Sequence, residues 1–164
     1  FKFSYPLEPS QVSFITMFTI GIPGFFLALE PDMARIEGRF LPNVMKKAIP
    51  GGMADVFAVG ALVFCGEAFH LDNADISTAA TLLLSIVGFM VLYKISQPMN
   101  TLRTIILIGN MVALVLTGVF LNHIYALEAM SLECILLFVM FSFAVESFLR
   151  YLEKFVDWCY DGIK

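Results

Sequence analysis

Charge is scarce in this sequence. Only 15% of its residues carry it, against about 25% in soluble domains, so an ordinary solvated surface is excluded. The ten lysines and arginines are scattered and the net charge is −4, which leaves no basic patch for nucleic acid. Cysteine is sparse and odd in number: Cys65, Cys134 and Cys159 lie far apart. That spacing excludes a disulfide framework and a C-x-x-C metal knuckle, and the three read as small, reduced, apolar residues. No nucleotide-binding glycine loop is present. No basic stretch, short apolar run and small-residue cleavage site opens the chain. It begins Phe1-Lys2-Phe3-Ser4 without methionine, and a piece of a longer polypeptide is expected.

What the sequence has in abundance is apolar length. The apolar fraction is 59% and the mean hydropathy +0.84. A domain of this size buries only about two thirds of its surface, so lipid must solvate the rest. Five apolar segments, each near the ~20 residues that cross a bilayer, run over about 10–29, 53–69, 77–95, 104–121 and 132–149, with a cytosolic tail to 164. Backbone polar groups must be satisfied internally in lipid. The expected fold is therefore an all-α membrane protein, a single five-helix transmembrane bundle.

Lysine and arginine placement sets the orientation. With five alternating spans, Arg35, Arg39, Lys46, Lys47, Lys94, Arg103, Arg150, Lys154 and Lys164 fall on one side and Lys2 alone on the other. The N-terminus is expected outside and the C-terminus in the cytoplasm of a plasma-membrane, multi-pass protein.

The first segment is irregular. Pro23 has no N–H and crowds the carbonyl one turn back, at Thr19, and Gly21 and Gly24 flank it. A helix break at Gly21, Pro23 and Gly24 is expected. Freed carbonyls and half-helix ends at membrane depth coordinate cations in transporters. Thr16 and Thr19 share a face just before the break, and oxygen ligands suit Ca2+, Mn2+ or Mg2+. The other reading is a Pro-kinked packing helix whose threonines bond back to their own backbone.

Pro6-Leu7-Glu8-Pro9-Ser10-Gln11 followed by Thr19-Ile20-Gly21-Ile22-Pro23-Gly24 and Phe25 to Pro31 resembles the sixth transmembrane helix of P-type cation-transporting ATPases. The likeness is nearest to the bacterial branch of calcium and manganese exporters, the cation-transporting ATPase E-like pumps. It implies that the chain is helices six to ten of such a pump. The parent would couple ATP hydrolysis, with Mg2+ and an aspartyl-phosphate intermediate, to export of a divalent cation, Ca2+ foremost and otherwise Mn2+ or Mg2+. The phosphorylated aspartate of that family sits in an Asp-Lys-Thr-Gly-Thr motif that this chain lacks, so no catalytic residue and no cofactor is expected on it. Its partners would be the lipid bilayer, the transported cation, and the pump's helices one to five and cytosolic domains.

Residue by residue, the resemblance puts the calcium-site threonine at Thr19 and an upstream ligand near Thr16, with the backbone of Ile20 and Gly21 completing the set. The neighbouring carboxylate of the animal pumps falls on Ile20, and an eighth-helix acid falls near Val87 or Gly88, so both acids are missing. Arg35, Arg39, Lys46 and Lys47 would form the cytosolic coupling loop. A secondary transporter or channel fragment would predict repeats and clustered buried acids; a non-catalytic membrane subunit would not need the broken helix.

Among the remaining residues, Glu67 sits near the outer end of the second segment, as an interfacial group or an ion exit. Asp55 reads as a cap or packing group in the first turn of that helix, not a ligand. Asn110 is expected to hydrogen-bond a neighbouring helix. Glu146 and Arg150 form an i,i+4 pair, and Trp158 and Tyr160 anchor the interface. His70 and His123 have no partner motif.

Overall fold

The computed structural model describes residues 7–29, 40–97, 99–121 and 130–161, all helix and short connection with no strand among them. Among the described residues five helices are long and apolar enough to span a membrane. Helix α1 covers Pro9–Ala28, α2 Phe40–Ala68, α3 Asn73–Ile95, α4 Thr101–Phe120 and α5 Leu132–Asp161.

Two boundaries differ from the hydropathy reading. Helix α2 begins at Phe40, thirteen residues before Met53, and runs through Pro50, Gly51 and Gly52. Pro50 removes one backbone donor, but it is fully buried against the bundle, and packing outweighs the propensity penalty. Helix α5 continues to Asp161 through the stretch read as a tail. Its apolar residues keep a helical rhythm there, with Val156 buried. Arg35, Arg39 and His123 lie outside the described residues, as do the side chains of Lys46, Lys47 and Tyr160.

The core joins α2, α3 and α5. Ala54, Ala58 and Leu62 make one stripe of α2, and it meets Ala79, Ala80, Leu83 and Val87 of α3 and Cys134, Val145 and Leu149 of α5. Small residues let backbones approach in lipid, where van der Waals contact carries association. Gly51 fits beneath Val91 and Gly66 beneath Ile76. The two pairs fix α2 and α3 as antiparallel neighbours in register along their length.

Side-chain bonds fasten both ends. At one end the Ser77 hydroxyl donates to Gln11 Oε1 at 2.5 Å, and the Ser131 N–H donates to Asp75 Oδ2 at 3.0 Å. At the other, Lys94 pairs with Glu153 and Arg103 donates to the Ser96 carbonyl. Residues 94, 96, 103 and 153 therefore share one end, as alternating spans require. Between α2 and α3, His70 takes φ 56°. The Leu71 N–H reaches the Gly66 carbonyl and the His70 N–H the Glu67 carbonyl, the Schellman ending of a helix.

Gln11 is 1% exposed and also closes the α1 capping box with the Glu8 N–H. Gln11→Leu removes both functions and strands the Ser77 hydroxyl. It should destabilise the bundle by roughly 0.6–2 kcal/mol, read as a lower thermal midpoint in detergent micelles; an unchanged midpoint contradicts it.

Helix α4 sits at the periphery, and Ile105, Ile108, Met111, Val115 and Val119 are all exposed. Such a face suits lipid or a further apolar helix. The pair of Glu146 and Arg150 forms along α5, and Trp158 is exposed beside Phe155.

Candidate cation site

The irregularity in α1 is a change of helix type, not an unwound stretch. Pro9–Thr16 is α, Met17–Gly21 is a π-turn, and Ile22–Ala28 is α again. The expected break at Gly21, Pro23 and Gly24 is thus corrected to a π-turn ending one residue before Ile22. The cause is the missing N–H of Pro23. The Ile22 N–H bonds the Met17 carbonyl five residues back, and Pro23 has no N–H to continue the ladder. The chain passes the proline in one wide turn, a device frequent at functional sites.

Both threonines bond back to the preceding turn. The Thr16 hydroxyl donates to the Val12 carbonyl at 2.7 Å and the Thr19 hydroxyl to the Ile15 carbonyl at 2.8 Å. This is the packing-helix bond, yet it uses each hydroxyl only as a donor. The oxygen lone pairs stay available to a cation.

Both threonines line a groove of about 450 Å³ between α1, α2 and α3. Thr16, Thr19, Ile20 and Gly24 line it from α1, Gly51, Gly52 and Asp55 from α2, and Leu84, Gly88 and Val91 from α3. Thr19 is seated on Gly88: a β-carbon there would come within 2.6 Å of Thr19 Cγ2. Gly88 is therefore what lets α1 lie close to α3 at the level of the π-turn. Pro23 itself is buried and does not line the groove.

Asp55 is the residue that the sequence reading misplaced. With α2 beginning at Phe40, it is not in a first turn and has no free helix N–H to cap. It lies seven residues beyond Ala48, where the apolar part of α2 begins, roughly 10 Å into the span at 1.5 Å per residue. Gly88 stands seven residues before Ile95 and Thr19 nine before Ala28, so all three occupy a similar depth. Asp55 Oδ1 is buried and has no hydrogen-bond partner among the described residues.

The remaining candidates stay apart. Glu67 is exposed, twelve residues beyond Asp55 and so about 18 Å along the same helix. Gly21 is exposed and does not line the groove. Among the described residues Asn110 donates to the Ile106 carbonyl of its own helix at 2.9 Å and to no neighbouring helix, correcting that expectation. Its Oδ1 is buried without a partner, beside a larger, almost wholly apolar cavity of about 930 Å³ between α1 and α4. Among the described residues no three His, Cys, Asp or Glu side chains gather as a metal cluster. The groove thus offers one carboxylate with hydroxyl oxygens, a hard-cation set, and no soft ligand.

The chain is 32% identical over 120 residues, 68% of its length, to the calcium-transporting ATPase CtpE of Mycolicibacterium smegmatis. It is 31% identical over 117 residues to CtpE of Mycobacterium tuberculosis. It is 27% identical over 116 residues, 71% of its length, to a probable cation-transporting ATPase of Streptococcus pneumoniae. It spans about 15% of the length of these relatives. No family model and no solved structure matches it. The resemblance to cation-transporting ATPases read from the first thirty residues is borne out.

Proposed function

We propose, on the premise that this chain is similar to a stretch of cation-transporting ATPases, that it forms helices six to ten of an ATP-driven divalent-cation export pump. Ca2+ is the foremost cargo, with Mn2+ or Mg2+ behind it. The parent hydrolyses ATP with Mg2+ on its cytosolic domains. Helices one to five supply the rest of the ion site. This chain supplies the hydroxyl oxygens of Thr16 and Thr19 from α1, supports the bundle, and carries the basic loop with Arg35, Arg39, Lys46 and Lys47 that couples to the cytosolic domains. The nine-to-one distribution of Lys and Arg supports an orientation with this chain's N-terminus outside and its C-terminus in the cytoplasm, and an export role goes with the plasma membrane.

The observation that carries the reading is the pair of threonine oxygens on one groove at a π-turn within the span. Ca2+-, Mn2+- and Mg2+-stimulated ATP hydrolysis by the full-length pump in lipid tests it, wild type against Thr19→Ala. Loss of one neutral oxygen ligand, about 1 kcal/mol, should raise the half-saturating concentration of the transported cation about fivefold. An unchanged value refutes the assignment of Thr19. Absence of stimulation by all three cations refutes the pump.

A further inference from the structure

The geometry points to Asp55 as the charged ligand of a divalent cation in this groove, sharing the ion with the hydroxyl oxygens of Thr16 and Thr19. The inference rests on the pump reading for its cargo, but its observations come from α2, not from the residues that carried the resemblance.

Three ordinary roles for a carboxylate at this place fail. It does not cap a helix, because α2 begins fifteen residues earlier at Phe40. Among the described residues it pairs with no Lys or Arg: Lys94 goes to Glu153 and Arg150 to Glu146. It is not tied into a hydrogen-bond network through Oδ1, which is buried and unbonded among the described residues. A carboxylate held at membrane depth without a partner is costly, and such groups mark ion and proton pathways.

The groove is built to seat what Asp55 lacks. Gly24 and Gly52, where a β-carbon would meet nothing within 4 Å, line a volume of about 450 Å³ beside the carboxylate. Helix α1 brings only neutral oxygens, since Ile20 occupies the place next to Thr19. Neutral oxygens alone bind Ca2+ weakly, because affinity follows the charge count of the ligands. Asp55 supplies the negative charge from the adjacent helix at matching depth. Its two oxygens and the two hydroxyls make four of the about 6–8 ligands that Ca2+ takes; water and the other helices of the pump complete the shell.

The test has two arms on the full-length pump in lipid. In the first, equilibrium binding of radioactive Ca2+ without ATP is measured for wild type and Asp55→Asn. The variant should bind about tenfold or more weakly. Equal binding overturns the role of Asp55 while leaving the pump intact. Wild type that binds no Ca2+ and shows no cation-stimulated ATP hydrolysis overturns the pump reading itself, and Asp55 with it. The second arm needs no variant and stands if Asp55→Asn fails to fold. Wild type is treated with dicyclohexylcarbodiimide, which modifies carboxyl groups in apolar surroundings, and the modified peptides are identified by mass spectrometry. Asp55 should be modified without divalent cation and protected by Ca2+ at concentrations that saturate ATP hydrolysis. Equal modification with and without Ca2+ overturns the proposal.

Discussion

Gly88→Ala is expected to disable the cation groove by pushing two helices apart. A β-carbon at that place would lie 2.6 Å from Thr19 Cγ2 and 3.0 Å from Thr19 Cβ. Thr19 cannot swing clear. It is β-branched, which restricts χ1 in a helix, and its hydroxyl is held by the Ile15 carbonyl. The clash must be relieved by moving α1 off α3, and overpacking of this kind costs about 1–3 kcal/mol. Displacement also separates the threonine oxygens from Asp55, since all of them line one groove. Thermal unfolding of the purified pump should shift down, and the half-saturating Ca2+ concentration should rise more than tenfold. The decisive comparison is a double-mutant cycle. Thr19→Ser keeps the hydroxyl and removes Cγ2, so Thr19→Ser alone should be nearly silent. In the Gly88→Ala background it should restore much of both stability and affinity. If the two changes simply add, the contact between Thr19 and Gly88 does not set the helix spacing.

The five spans were legible because hydropathy over about 20 residues reports on lipid directly. The bonds at 94, 103 and 153 fit the alternation that the Lys and Arg pattern requires. Two things were not legible, and they are connected. Pro42, Pro50, Gly51 and Gly52 read as punctuation, since each is a poor helix former, yet α2 runs through all of them. Gly51 is there because Val91 needs the space, a tertiary demand that local propensity does not encode. Starting α2 too late turned Asp55 into a first-turn residue, where an anion has an ordinary explanation. Moved fifteen residues into a continuous helix, it has none. In α1 the proline correctly signalled an irregularity. Whether the chain answers a missing N–H by unwinding or by widening one turn depends on the packing of both flanks. Here Gln11, Phe14 and Phe18 are buried before or within that turn and Pro23 after it, so both halves stay helical. The back-bonding of Thr16 and Thr19 is the bond of the packing reading, and a hydroxyl that donates keeps lone pairs, so the groove they line leaves the ligand reading open to test.

Pro23→Ala should abolish most transport while leaving the protein at least as stable, the opposite signature to Gly88→Ala. Alanine supplies the N–H that Pro23 withholds and is the best helix former, about 3 kcal/mol better than proline within a helix. The π-turn at Met17–Gly21 then loses its reason to exist, and α1 can close into a regular α-helix. That closure has a geometric consequence. A π-turn accommodates one residue more than an α-turn, and each residue turns the helix by about 100°. Removing it must rotate one half of α1 against the other by about that amount. The half before the turn is fixed by Gln11 on Ser77 and by buried Phe14. The rotation therefore falls on the half after it, taking Ile22 and Phe26 off the cavity they share with Ile106 and Asn110 of α4, and Gly24 off the groove with Asp55. Cation-stimulated ATP hydrolysis should fall at least tenfold, about 1.4 kcal/mol or more on the scale of the coupled cycle. The thermal midpoint should hold or rise. Pro23→Gly, which also restores the N–H but favours no particular turn, should retain more activity than Pro23→Ala. Full activity in Pro23→Ala would mean that the wide turn is a tolerated accident of packing and carries none of the cation chemistry placed beside it.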